Sequence, residues 1–205
     1  LDLLVQIYNT SAYKLAVRTL FRQDDNNEIK GYDLTYFTKD ESGISLWLGQ
    51  AKLGEKKYCK SSIHKDLLEK FNKEYLAKQL FFICDKRIEI TDDAKSLLEA
   101  IEDINLLMLN SDDNSRAESL IEYFKKHHIN IKIPCLLAYG ENSVYSDIQT
   151  IYNKIESEVN SIKRYYSNYT YKFDGFAPEI IFYIFPIESI ERLRDKRFGF
   201  YAGLC

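Results

Sequence analysis

The chain has 205 residues, enough for one domain of ordinary size. Hydrophobic residues make up 45%, and Gly and Pro number only 8 and 3, which supports a buried core and excludes long disordered linkers. Net charge is -3, from 28 basic and 31 acidic residues, so nucleic-acid binding by bulk attraction is excluded and only a local basic patch could serve.

In chain order, residues 3–22 place Leu3, Leu4, Ile7, Leu15, Val17, Leu20 and Phe21 at helical spacings and predict a helix. The chain opens on Leu, directly in that periodicity, and a preceding N-terminal portion is expected. Two strands follow, Tyr32–Thr38 and Ile44–Leu53, around the turn-forming Lys39-Asp40-Glu41-Ser42-Gly43, and they read as an antiparallel hairpin. Ser61 or Ser62 is the expected N-cap of a helix with Ile63, Leu67, Leu68, Phe71 and Tyr75 as its buried stripe. Leu80–Asp85 reads as a buried strand, Asp92–Ile104 and Ser115–His127 as helices, and Ile129–Ala138 as a strand. A long helix from Ser146 to Tyr166, a strand at Glu179–Phe185 and a helix near Ile187–Arg197 complete the pattern. The order argues for a single α/β domain over residues 1–205, a mixed β-sheet flanked by helices.

Four cysteines, Cys59, Cys84, Cys135 and Cys205, lie too far apart in sequence for a CxxC zinc half-site. Cys84 and Cys135 fall in apolar runs, and a reduced, cytoplasmic setting is expected. Asp2, Lys14 and Arg18 interrupt any signal peptide, and the longest apolar run, Ile180 to Ile187, is far short of a membrane span. No GxSxG, Walker-type GKS/T or GxGxxG motif is present, which weighs against the commonest hydrolase and nucleotide-binding folds.

The chemistry concentrates in the hairpin. Facing residues of an antiparallel pair have position numbers with a constant sum, and a turn centred between Glu41 and Ser42 sets that sum to 83. Asp33 is then opposite Gln50, within reach of a shared cation, and Lys52 is on the same face two residues further on. Phosphodiester hydrolysis needs an activated water and relief of negative charge, which a Mg²⁺ ion (or Mn²⁺) on hard oxygen ligands supplies. Asp33 offers a carboxylate, Gln50 a carboxamide oxygen and Ala51 a backbone carbonyl, while Lys52 could orient the water and stabilise the transition state.

The segments GYDLTYF and LWLGQAKL resemble the D…(D/E/Q)xK core of the PD-(D/E)xK nuclease superfamily. Within it, these segments together with IKIPCLLAYG and APEIIFYIFPIES resemble the DUF1837 family, which includes HamA of Hachiman anti-phage defence and the anti-phage protein AbpA. The resemblance runs from about residue 15 to the end. It implies a restriction-endonuclease-like fold, a Mg²⁺-dependent deoxyribonuclease with Asp33 and Lys52 in the motif positions, and an effector subunit acting on DNA with a partner helicase. Gln50 stands where the family pattern usually has Glu, which removes one negative charge and weakens metal binding. A catalytically weak or inactive module that binds DNA or the helicase is therefore an alternative, as is a scaffold with no affinity for nucleic acid. Asp2 is the only acid among the first 20 residues and receives no role.

Lys56, Lys57, Lys60 and Lys65 form the most basic stretch and could hold the DNA backbone, although a solvated loop and helix start explains them equally well. His127 and His128 follow Lys125 and Lys126 at a helix end, where the dipole accounts for cations without a metal. Arg192, Arg194, Lys196 and Arg197 on the last helix could touch DNA or a partner subunit, but with Glu188, Glu191 and Asp195 interleaved they read better as an exposed helix face. The run Tyr165 to Tyr171 suits either base stacking or a partner interface.

Overall fold

The computed structural model describes residues 1, 4, 5, 7, 13–16, 31–41, 43–84, 95–112, 114–173 and 175–194. Five strands lie in the order β1-β2-β3-β4-β5 in a mixed sheet flanked by helices: β1 Tyr13–Ala16, β2 Leu34–Asp40, β3 Gly43–Gly54, β4 Asn130–Gly140 and β5 Glu179–Ile187. The helices are α1 Lys56–Glu69, α2 Lys73–Cys84, α3 Lys95–Asn110, α4 Arg116–Lys126, α5 Ile151–Ser167 and α6 Ile190–Arg194. The chain divides into two compact units. The first comprises Leu1–Gln50, Asp66–Cys135 and Tyr171–Ile181; the second comprises Ala51–Lys65, Leu136–Thr170 and Phe182–Cys205. Among the described residues, no helix is long and apolar enough to cross a membrane.

The first unit is organised by the β2–β3 hairpin. Its register runs from Asp40↔Gly43 to Leu34↔Gly49, every pair summing to the expected 83. Gly43 has φ 116°, a left-handed conformation that a side chain would strain, and it turns the chain tightly enough to hold this register. Trp47 Nε1 donates to Thr38 Oγ1 at 2.9 Å and clamps the two strands. Residues 45–50 of β3 are all buried, the mark of a strand covered on both faces rather than one alternating between core and solvent. Helices α2, α3 and α4 pack on one another, with Leu76, Leu80, Ile104 and Leu120 fully buried.

In the second unit, Cys59 and Ile63 of α1, Tyr139 of β4 and Ile162 and Tyr166 of α5 are buried. The Cys59 thiol donates to the Ala138 carbonyl at 3.4 Å, and Tyr166 donates to the Lys60 carbonyl at 3.0 Å, tying α1 to both neighbours.

Several expected elements differ. Residues 13–16 are a strand antiparallel to β2, so the helical pattern over residues 3–22 does not continue through them, although Leu4, Val5 and Ile7 are helical. A short apolar pattern is compatible with either period, and here pairing with β2 decides. Leu80–Cys84 ends helix α2 rather than forming a strand; Leu76, Ala77 and Leu80 show the helical spacing that the run LFFIC conceals. The expected N-cap at Ser61 or Ser62 lies inside α1, which begins at Lys56, and the Ser61 hydroxyl donates back to the Tyr58 carbonyl. Asn72 is the cap actually used: its Oδ1 accepts from the Tyr75 amide at 2.8 Å at the start of α2. Within the stripe expected on α1, Leu68 is 52% exposed. The long helix begins at Ile151, after a 3-10 turn at Asn142–Tyr145.

Candidate functional site

The hairpin end is built by close approach. A Cβ on Gly49 would lie 2.7 Å from Leu1 Cδ2 and 2.9 Å from Leu34 Cβ, so only glycine admits these neighbours here. The β2–β3 ladder stops at Leu34↔Gly49, and the chain bends at residues 31–33. Asp33 is one residue beyond the ladder, its amide donating to the Gly49 carbonyl at 2.9 Å, and its side chain is exposed. Gln50 is fully buried. The register thus brings the Asp33 backbone to the Gly49–Gln50 end of β3, as the constant sum requires.

The Gln50 carboxamide is spoken for on both sides. Its Nε2 donates to the Gly31 carbonyl at 3.2 Å, and its Oε1 accepts from Lys70 Nζ at 3.0 Å. Lys70 Nζ also bridges to Asp66 Oδ1 at 3.1 Å and donates to the Gly31 carbonyl at 3.4 Å. Tyr32 holds the arrangement from behind: its hydroxyl donates to the Lys70 carbonyl at 2.7 Å, and its ring lies 5.2 Å from Phe71 and 6.0 Å from Tyr75. Burial, with Tyr75 nearby, pushes the Tyr32 phenol well above its usual range. Burial also raises Tyr75 and the Cys135 thiol, and the Asp66 charge adds to both.

Lys70, Asp66, Gly31 and Tyr32 were not among the residues singled out in the sequence. One signal existed for Asp66 and Lys70. Positions 63, 66, 67, 70 and 71 follow helical spacing, so Asp66 and Lys70 interrupt an apolar stripe at Ile63, Leu67 and Phe71. A charged pair four residues apart on a core-facing stripe is unusual, and it marks a buried polar site.

Ala51 and Lys52 are the next residues of β3 and are half-buried. In the basic stretch, Lys57 and Lys65 are exposed, whereas Lys56 bridges to Glu158 at 2.6 Å and Lys60 lies 4.7 Å from the Tyr165 ring centroid. Of the tyrosine run, Tyr165 and Tyr169 pack within the second unit, with Tyr169 and His64 ring centroids 4.0 Å apart and Tyr165 5.3 Å from Tyr169. His127 stacks on Tyr123 at 4.2 Å, a packing role that needs no metal. Arg192 bridges to Glu188 at 2.8 Å. Asp2, Lys196 and Arg197 lie outside the described residues.

Among the described residues, no three of His, Cys, Asp and Glu come together as a metal-binding group. A cation at this end of the hairpin would therefore depend on neutral oxygens as well as carboxylates. Gln50 Oε1, the Gly31 carbonyl and Asp66 Oδ1 all lie within 3.4 Å of one positive charge, and this hard-oxygen set suits Mg²⁺ or Mn²⁺. Searches among curated proteins and among solved structures gave no match. The HamA family model matches residues 1–204, and the chain belongs to that family, the Hachiman anti-phage defence protein family.

Proposed function

We propose that this chain is a metal-dependent nuclease that cuts DNA as an effector of Hachiman defence, with a helicase as its partner subunit. The observation that carries the reading is Gln50: a fully buried carboxamide whose oxygen faces a cation at the motif end of the hairpin. The Asp33 carboxylate, Gln50 Oε1 and the Ala51 carbonyl would hold Mg²⁺ or Mn²⁺. When bound, the ion would polarise the phosphoryl oxygens and lower the pKa of a water. Lys52 follows Gln50 by two residues on one strand, hence on the same face. Its ammonium would orient the water and stabilise negative charge gathering on the phosphoryl oxygens. Lys57 and Lys65, both exposed, would contact phosphates without reading sequence. Membership of a family that works in a defence system with partners supports this reading, and the helicase and the DNA substrate are part of the proposal. Free, buried thiols at Cys59 and Cys135 suit a cytoplasmic setting.

DNA cleavage with Mg²⁺ or Mn²⁺ tests the reading. The native chain should cut, and Lys52→Ala should lose on the order of 100-fold in rate. Equal cleavage by both would remove the role given to Lys52. The Lys70 contact on Gln50 Oε1 favours a second reading, a nuclease-fold module that binds DNA or the helicase without cutting. No cleavage by either chain, with salt-dependent DNA binding retained, would establish that module; loss of DNA binding as well would leave an interaction scaffold.

A further inference from the structure

Lys70 Nζ has three oxygen partners: Gln50 Oε1 at 3.0 Å, Asp66 Oδ1 at 3.1 Å and the Gly31 carbonyl at 3.4 Å. An ammonium carries three N–H donors and no acceptor, so this shell matches its capacity. One carboxylate, one carboxamide and one peptide carbonyl are also the oxygen types that bind hard divalent cations. We propose that these three oxygens form a divalent-cation site in which Lys70 is the resident competitor: the metal enters as the Lys70 side chain swings out to water. The inference rests on the nuclease reading and adds Asp66 and Gly31 to its ligands and Lys70 as its gate.

Charge supports the exchange. With Lys70 in place, Asp66 and Lys70 cancel, and the neutral Gln50 completes the shell without an excess charge. A glutamate at position 50 would leave a net negative charge and would favour the metal over the lysine. The departure to Gln50 therefore matches a site that a lysine can fill. A divalent cation replacing Lys70 carries one positive charge more than the Asp66 carboxylate offsets. The movement needs little of the fold. Tyr32 anchors the Lys70 carbonyl, while the Lys70 side chain is already 23% exposed and sits just past the end of α1.

Calorimetric titration of the whole chain with Mn²⁺ alone tests the proposal. Lys70→Met should bind Mn²⁺ at least about tenfold more tightly than the native chain, Lys70→Arg no more tightly, and Lys70→Met/Gln50→Leu should lose the gain. Equal affinity in native and Lys70→Met chains, or a gain that survives Gln50→Leu, overturns the proposal. If Lys70→Met does not fold, amine labelling of the native chain read by mass spectrometry decides. Mg²⁺ should raise labelling of Lys70 several-fold and leave Lys57 unchanged; constant labelling of Lys70 overturns the exchange. Native Mn²⁺ binding that Asp33→Asn abolishes, without a gain in Lys70→Met, sinks this proposal and leaves the nuclease reading intact. No Mn²⁺ binding by any variant, Gln50→Glu included, sinks both.

Discussion

Lys70 in the first unit and Lys56 in the second form ion pairs that look alike, with side chains 23% and 25% exposed and carboxylates at 3.1 Å and 2.6 Å. The difference lies in what the carboxylates and their neighbours retain when the lysine is removed. Glu158 also accepts a hydrogen bond from the Tyr139 hydroxyl at 2.7 Å, so it keeps a donor without Lys56. Around Lys70 the same ammonium serves Asp66, Gln50 and Gly31 together. Two ion pairs of similar length and exposure thus carry different weight, because an oxygen left in the interior without a donor is costly and one with a second donor is not.

The sharpest way to break this comparison is to truncate each lysine. Lys70→Ala should cost about 3 kcal/mol, because it takes the donor from a buried carboxamide oxygen and a charge partner from Asp66. Urea denaturation checks this, and a loss similar to that of Lys56→Ala would erase the distinction. Next in size is Gly49→Ala, which forces a methyl against Leu34 and Leu1; about 2 kcal/mol should be lost, read from the same urea midpoints.

A smaller effect compares the two buried phenols. Tyr32 donates to the Lys70 carbonyl and Tyr139 to Glu158, and both titrate above the ordinary tyrosine value, Tyr32 chiefly from burial and Tyr139 from burial and then the Glu158 bond. The unfolded chain releases these protons near pH 10, while the folded chain keeps them. Their contribution is therefore fully present below about pH 10 and is lost as pH rises beyond it. Denaturation midpoints at pH 9, 10 and 11 should fall, and Tyr32→Phe and Tyr139→Phe should each flatten that fall. Smallest of all, Lys56→Ala should cost under about 1 kcal/mol, the range for a partly exposed pair. A larger loss would mean that Tyr139 does not compensate Glu158.

The hairpin was readable in advance because its information is local. The turn residues and the period of two set the sum of 83, and the ladder keeps it from Asp40↔Gly43 to Leu34↔Gly49. The run LFFIC was ambiguous because five apolar residues fit a buried strand or the end of a buried helix equally well; only packing of α2 on α3 and α4 selects the helix. Residues 13–16 show the same limit, since their strand exists through pairing with β2. Spacing placed Asp33 and Gln50 at one end of the hairpin, but it did not give the partner of Gln50, because Lys70 is twenty residues away along the chain.

The amino-acid sequence by itself determined the family, the α/β class and the pairing of the two hairpin strands, all of which rest on motif residues and short-range periodicity. Tertiary structure alone decided that Gln50 is buried, that its oxygen faces Lys70, and that Asp66 and Gly31 share the same ammonium. Those contacts depend on where the end of one helix meets the bend before a strand, and no local preference encodes such a meeting.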